Sequence, residues 1–128
     1  MAFERYVKSG RIYRPFASIW LRGQIGINQG AVERFKIKDY KLAVLFYDKE
    51  IERIGIRLTN DENEEGATTI TQGKTGVVIS AVSFLDFYGI DHSDTRKYPI
   101  DYNENENLYV IDLKKPMQKK RATNRPND

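Results

Sequence analysis

Apolar and polar residues follow the same order twice along the chain, once in residues 23–58 and again in residues 75–113. In each copy a short β-rich run precedes a helical spacing of apolar side chains, and two alternating runs joined by a polar turn come next. The hairpin parts align without a gap, so that Tyr47 of the first copy corresponds to Tyr102 of the second. Each copy is therefore predicted to fold as strand, helix, strand, strand.

Both helices are expected to begin directly after a polar residue. Asn28 and Ser80 stand at these positions, where a side-chain oxygen can accept hydrogen bonds from the first free helical amides. Gly89 is expected to end the second helix. Residues 15–21 and 67–71 are expected to add one further strand to each copy. The other predicted strands are residues 24–27, 41–47, 53–58, 77–79, 97–102 and 108–113.

The predicted fold class is mainly β with two short helices, built from internally duplicated β-α-β-β units. One such unit is too small to bury its own apolar face, so the copies are expected to interleave in a barrel-like, pseudo-two-fold body. Residues 1–113 are predicted to form this single domain, with repeat one at 15–58, an acidic linker at 59–66 and repeat two at 67–113. Residues 114–128 are predicted to be a disordered basic tail.

Charge is unevenly spread, although the formal net charge of the 128 residues is only +3. Residues 1–22 carry five basic residues against one acidic residue, and residues 114–128 carry six against one. The remaining residues, 23–113, form an acidic body with a net charge of −6. A polyanion is therefore expected to meet the two ends. The chain has neither the apolar run of a membrane span nor that of a secretory signal, and the predicted location is the cytoplasm.

The duplicated pattern has a counterpart among known families. Gly23–Leu58 and, more weakly, Gly76–Leu113 combine a short strand, one amphipathic helix and a hairpin of the form xVxVxYDxxxxxIxIxL. The second helix ends in Phe87-Tyr88-Gly89-Ile90, close to the helix end typical of that pattern. Over more than half of its length the chain thus resembles the AbrB/MazE/MraZ swapped-hairpin family. In that family two copies intertwine into one barrel, and most members are DNA-binding transcription regulators or antitoxins.

The resemblance implies DNA contacts from basic residues of the N-terminal segment and around the first strand. In this sequence the corresponding residues are Arg11, Arg14, Arg22 and, on the first helix, Arg34. The sequence departs from the family where Asn28 and Ser80 replace a proline. The second helix contains Asp86 and no basic residue, so the second copy is expected to have lost its DNA face.

Basic and aromatic residues alternate near the N-terminus, which is typical of surfaces that pair cations with phosphates and stack rings on bases. Trp20 belongs to this stretch but is expected to point into the core. Curved sheets with such residues also resemble Whirly-like single-strand binders. The residues predicted to bind nucleic acid are Lys8, Arg11, Tyr13, Arg14, Arg22, Arg34, Lys119, Lys120 and Arg121.

Few residues suited to catalysis or metal binding are available. The chain has no cysteine and one histidine, His92, which excludes thiol chemistry and disulfides. The triplet 73–75, Gly-Lys-Thr, lacks the rest of a Walker motif and precedes a strand, so a turn is predicted there. The Asp-His-Ser-Asp run at 91–94 is predicted to be a capped turn rather than a metal site. No enzyme activity, cofactor or metal is predicted.

The sequence therefore predicts a non-enzymatic nucleic-acid-binding protein, a transcription regulator or accessory factor of a prokaryote or its virus, with DNA favoured over RNA. The alternative is a protein-interaction or scaffold module whose acidic body docks a basic partner. A homodimer fits either function. The salt dependence of nucleic-acid binding distinguishes the nucleic-acid-binding function from the protein-interaction function.

Overall fold

The computed structural model describes residues 15–117, which form a closed eight-stranded antiparallel β-barrel with two short α-helices and one 3-10 helix. The predicted mainly-β fold class is confirmed. The helices are α1 (Gln29–Phe35) and α2 (Val82–Phe87), and the 3-10 helix is Ile37–Asp39. The strands are β1 (Phe16–Ile19), β2 (Gln24–Asn28), β3 (Leu42–Asp48), β4 (Arg53–Thr59), β5 (Ala67–Gln72), β6 (Gly76–Ser80), β7 (Arg96–Asn103) and β8 (Leu108–Asp112).

The two halves interleave around the barrel. The strand order is β1-β2-β6-β5-β3-β4-β8-β7, and β7 closes the ring against β1. Each half supplies two hairpins, β1-β2 with β3-β4 and β5-β6 with β7-β8, and every hairpin lies between two hairpins of the other half. Neither half closes a core of its own, as predicted from the small size of one unit.

The strand registers repeat between the halves. Tyr47 pairs with Ile54 in the β3-β4 hairpin, and Tyr102 pairs with Tyr109 in the β7-β8 hairpin, as the sequence alignment of the two copies predicts. Between the halves, Ile54 of β4 pairs with Ile111 of β8. The internal duplication thus gives a pseudo-two-fold barrel.

The two helices start differently. Asn28 caps α1, because its Oδ1 accepts from the Ala31 amide at 3.1 Å and also from the Phe16 amide at 2.9 Å. The predicted cap at Ser80 was wrong: Ser80 is the last residue of β6, and the cap position of α2 is Ala81, which makes no side-chain capping bond. Both strands end on the polar residue, but α2 begins one residue later after β6 than α1 does after β2, so Ser80 falls outside the cap position.

Both helices end in the same way. Lys36 after α1 and Gly89 after α2 have left-handed backbone conformations, with φ of 55° and 64°, and each precedes a buried isoleucine. The Ile90 amide donates to the Leu85 carbonyl at 2.9 Å, which closes a Schellman-type helix end. The end predicted at Gly89 is confirmed.

The core consists of alternate strand positions, which point inward because successive strand residues face opposite sides. Trp20 does not belong to this core, so its predicted inward position was wrong. Its ring lies on Gly26 instead, where an added Cβ would be 2.5 Å from the ring. Only glycine leaves room for the indole there. The largest fully buried side chains are Ile19, Ile25, Ile37, Ile54, Ile56, Val77, Ile79, Leu85, Ile100 and Ile111.

The predicted acidic linker is tied to the first half. The Asn60 side chain accepts from the Lys41 amide at 2.8 Å and donates to the Asp39 carbonyl at 3.0 Å. Arg57 of β4 forms an ion pair with Glu64. Among residues 15–117, no helix is long and apolar enough to cross a membrane.

Candidate nucleic-acid interface

The chain enters and leaves the described body on the two sides of β7. The Pro15 carbonyl accepts from the Ile100 amide at 3.4 Å, and the Met117 amide donates to the Lys97 carbonyl at 2.7 Å. Neighbouring strands lie roughly 4.8 Å apart and each strand residue advances about 3.3 Å, so Pro15 and Met117, which flank β7 at positions three residues apart, are separated by about 14 Å. Both ends of the described chain are therefore attached to β7.

Only two of the predicted binding residues belong to the described part of the chain. Arg22 is exposed in the turn between β1 and β2, and Arg34 is exposed on α1. The Arg22 turn contacts the start of α2, where the Ala81 amide donates to the Gly23 carbonyl at 3.2 Å. Arg22 and Arg34 thus belong to opposite ends of β2 and are not brought together. The other predicted residues, Lys8, Arg11, Tyr13, Arg14, Lys119, Lys120 and Arg121, lie outside the described residues.

The outer face of β1 and β7 combines aromatic rings with a cation. The Lys97 Nζ lies 5.0 Å from the centroid of the Phe16 ring, in a cation–π contact. Trp20 lies against Gly26 of the adjacent strand β2. Lys97 was missed by sequence reasoning, because it neighbours Phe16 only when β7 closes the barrel and pairs with β1, with Ser18 opposite Lys97.

Further exposed basic residues surround this face. Within residues 15–117, the ion pairs are Arg53–Asp112, Arg57–Glu64 and His92–Asp86. Lys97, Lys114 and Lys115 near β7 are exposed and form no ion pair with described residues, so they can contact a polyanion. Arg96 also forms no ion pair with described residues, but its charge acts on the nearby Asp91, and Lys115 lines a groove with Asp101 and Asp112.

The triplet at 73–75 forms the turn between β5 and β6, as predicted. The Gly73 amide donates to the Gly76 carbonyl at 2.8 Å. Gly76 has a φ of 147°, and a Cβ there would lie only 1.9 Å from the Ile27 carbonyl oxygen, so glycine is required. The segment is a tight turn leading into a strand, whereas a phosphate loop leads into a helix.

His92 fastens the β1-β2 turn to α2. Its Nε2 lies 2.9 Å from an Asp86 carboxylate oxygen, and its Nδ1 lies 3.1 Å from the Leu21 carbonyl oxygen. Both partners are acceptors, so both ring nitrogens donate only in the protonated form. These bonds, with that to Asp86 the stronger, raise the pKa of His92.

The capped turn predicted at 91–94 is confirmed. Asp91 accepts from the hydroxyl of Ser93 at 2.7 Å and from its amide at 2.9 Å. These two bonds lower the pKa of the Asp91 carboxyl. The carboxylate is thus engaged in closing the turn.

No family model, no curated protein and no solved structure matches this chain.

Proposed function

We propose that this is a non-enzymatic DNA-binding protein, a transcription regulator or accessory factor, that holds DNA phosphates with its basic ends and the outer face of β1 and β7. The observation that carries the proposal is the attachment of both ends to β7, through Pro15 at Ile100 and Met117 at Lys97. Segments 1–14 and 118–128 each carry four basic residues and one acidic residue. Two cationic segments attached to one strand attract a polyanion more strongly than either does alone.

The exposed cations near β7 extend this positive region onto the folded body. Phosphate contacts from such residues supply affinity and orientation without reading the base sequence. Phe16 and Trp20 add aromatic surface beside the cations, and a stacked base is worth roughly 1–3 kcal/mol. The interleaved hairpins match the arrangement that the swapped-hairpin resemblance implies, which supports a DNA-binding function.

Fluorescence anisotropy with labelled single-stranded and duplex DNA of the same sequence tests the proposal. The test variant replaces Lys97, Lys114 and Lys115 by alanine in the full chain. The control is Lys74→Ala, which removes one exposed cation from the β5-β6 turn, and β5 is opposite β7 in the barrel order. We expect the triple variant to bind several-fold more weakly with a shallower salt dependence, and Lys74→Ala to bind as the unaltered chain does.

Equal binding by the triple variant and the control would contradict the proposed site. Preferential binding of the single strand would favour base stacking on Phe16 and Trp20, as in single-strand binders. Preferential binding of the duplex would favour the regulator function.

A further inference from the structure

A ridge of four aromatic rings runs along α2 and onto the β3-β4 hairpin. The Tyr88 ring lies 5.0 Å from that of Tyr47, 5.3 Å from that of Phe84 and 4.8 Å from that of Phe87. Phe87 is 79% exposed and Tyr88 is 38% exposed. Because each ring packs on another, Phe87 is presented to solvent on a fixed support.

An open groove of about 300 Å³ adjoins this aromatic ridge. Leu45, Val82 and Phe84 supply its apolar wall, and Thr68 and Ser80 supply part of its polar wall. Val82 is 46% exposed. Phe84 belongs to both the ridge and the groove, so they form one continuous surface, named here the α2 surface.

Three acidic segments border the α2 surface. The turn 48–52 adjoins Tyr47, the linker 61–65 leads into Gly66 of the groove, and the third segment, 86–94, includes the end of α2. Burial raises the pKa of the Tyr47 hydroxyl, and the nearby carboxylates of the turn raise it further. The carboxylates of these segments are Asp48, Glu50, Glu52, Asp61, Glu62, Glu64, Glu65, Asp86, Asp91 and Asp94.

Few cations offset these carboxylates. Lys49 lies in the first segment, and Arg57 is paired with Glu64. Arg96 is close enough to Asp91 to help lower the pKa of that carboxyl. Arg22 lies in the turn beside α2, Arg53 stands opposite Asp48 and pairs with Asp112, and His92 bonds Asp86. The ten carboxylates outnumber these six basic residues. The α2 surface is therefore apolar at its centre and negative at its rim.

The apolar and acidic character of the α2 surface is not shared by the equivalent surface around α1. Counting back from the left-handed residue that ends each helix, Phe87 of α2 corresponds to Arg34 of α1. Lys36 and Lys38 follow on the α1 side, whereas residues 75–95 contain no lysine or arginine. The duplicated fold alone does not produce an acidic apolar surface, because the equivalent region around α1 carries Arg34, Lys36 and Lys38 against Glu33 and Asp39.

We infer that the α2 surface binds a short basic segment of a partner protein. Apolar side chains of the segment cover Phe87 and Val82, and its lysines or arginines face the carboxylate rim. Charge complementarity of this kind sets the choice of partner and speeds association. Anchoring on one exposed aromatic ring follows the usual concentration of binding energy in a few residues.

A second copy of the chain fits this surface poorly. A two-fold dimer would place the ten carboxylates of one copy against those of the other, and like charges in an interface are costly. The exposed apolar area of Phe87, Val82 and Tyr88 is on the order of 350 Å². A standard interface covers about 800 Å² per partner, so the α2 surface suits a peptide-sized occupant.

The test measures the anisotropy of labelled twelve-residue peptides with the full-length chain. The probe carries leucines at helical spacing on a lysine background. One comparison peptide replaces its lysines by glutamates, and another replaces its leucines by alanines. The protein variants are Phe87→Ala and the matched Arg34→Ala at the equivalent position of α1.

We expect the lysine-leucine peptide to bind and both comparison peptides to bind at least ~10-fold more weakly. Phe87→Ala should weaken binding by about 10-fold or more, as the loss of an anchor residue does. The Arg34→Ala variant should bind the lysine-leucine peptide with an affinity within about two-fold of that of the unaltered chain. Unfolding curves of both variants verify that they remain folded.

Three results would overturn the inference. The first is equal binding of the lysine and glutamate peptides, and the second is unchanged binding by Phe87→Ala. The third is a dimer in sedimentation that Phe87→Ala converts to a monomer, which would assign the surface to a second copy of the chain.

Discussion

Arg34 and Phe87 occupy the same position in the two halves of the barrel. Each is exposed, and each lies two residues before the left-handed residue that ends its helix, Lys36 in the first half and Gly89 in the second. One structural framework thus presents a cation on one helix and an aromatic ring on the other. The two halves have kept the same fold while their surfaces have become chemically different.

Each helix packs on a hairpin of the other half. The Phe35 ring of α1 lies 4.9 Å from that of Tyr109 in the β7-β8 hairpin, and the Tyr88 ring lies 5.0 Å from that of Tyr47 in the β3-β4 hairpin. Aromatic contacts between the halves therefore accompany the strand pairing between them. We expect the barrel to unfold as one cooperative unit.

Asn28→Ala should destabilise the protein by about 1–2 kcal/mol, because Asn28 both caps α1 and accepts from the Phe16 amide. Ser80→Ala at the equivalent strand end should change the free energy of unfolding by less than about 0.5 kcal/mol, since Ser80 caps no helix. Urea unfolding followed by circular dichroism measures both. Equal effects of the two substitutions would show that the Asn28 cap does not contribute to the free energy of unfolding.

Gly89→Ala and Lys36→Gly should have opposite effects on stability. Both positions require a positive φ, which costs an alanine about 1 kcal/mol and a glycine nothing. Nothing lies within 4 Å of a Cβ added at Gly89, so its cost comes from the backbone conformation alone. We expect Gly89→Ala to lower the midpoint of urea unfolding and Lys36→Gly to raise it. A shift of the same sign in both would contradict this interpretation.

His92 should make stability depend on pH. Its bonds to Asp86 and Leu21 raise its folded pKa above the unfolded value of about 6.5. The stabilisation that protonated His92 gives the folded state is complete below a pH of about 6.5. It is lost as the pH rises through the folded pKa of His92. Because the chain has one histidine, its NMR titration is unambiguous. Asp86→Asn should lower the pKa of His92, and a wild-type pKa at or below 6.5 would refute the bonding described.

DNA binding should weaken steeply with salt. If about four phosphates are contacted, the logarithm of the duplex affinity should fall with the logarithm of salt concentration with a slope of about −3 to −4. Anisotropy at several salt concentrations gives this slope. A slope near zero would be incompatible with binding through the basic ends.

Local pattern was sufficient to predict much of this fold. The repeated apolar alternation identified both hairpins, and the polar residue before the first apolar stripe identified the Asn28 cap. Ser80 stands at the corresponding place in the second copy and also ends its strand, but α2 begins one residue later, at Val82. A shift of one residue in the start of the helix decides that case, and local composition does not encode it.

The candidate interface depends on contacts that are distant in sequence. Lys97 reaches Phe16 only because β7 pairs with β1. The Trp20 ring packs on the outer face of β2 because Gly26 has no side chain there. An alternating pattern identifies an apolar residue but does not show which glycine across the sheet leaves space for it.

The emission of Trp20, the single tryptophan of the chain, tests the proposed DNA site most directly. Trp20 lies on the outer face of the barrel near β7, whereas the α2 surface contains no tryptophan. We predict that DNA changes the intensity of Trp20 emission at low salt and that added salt reverses the change. Unchanged Trp20 emission under conditions where anisotropy shows the DNA to be bound would contradict binding at the outer face of β1 and β7.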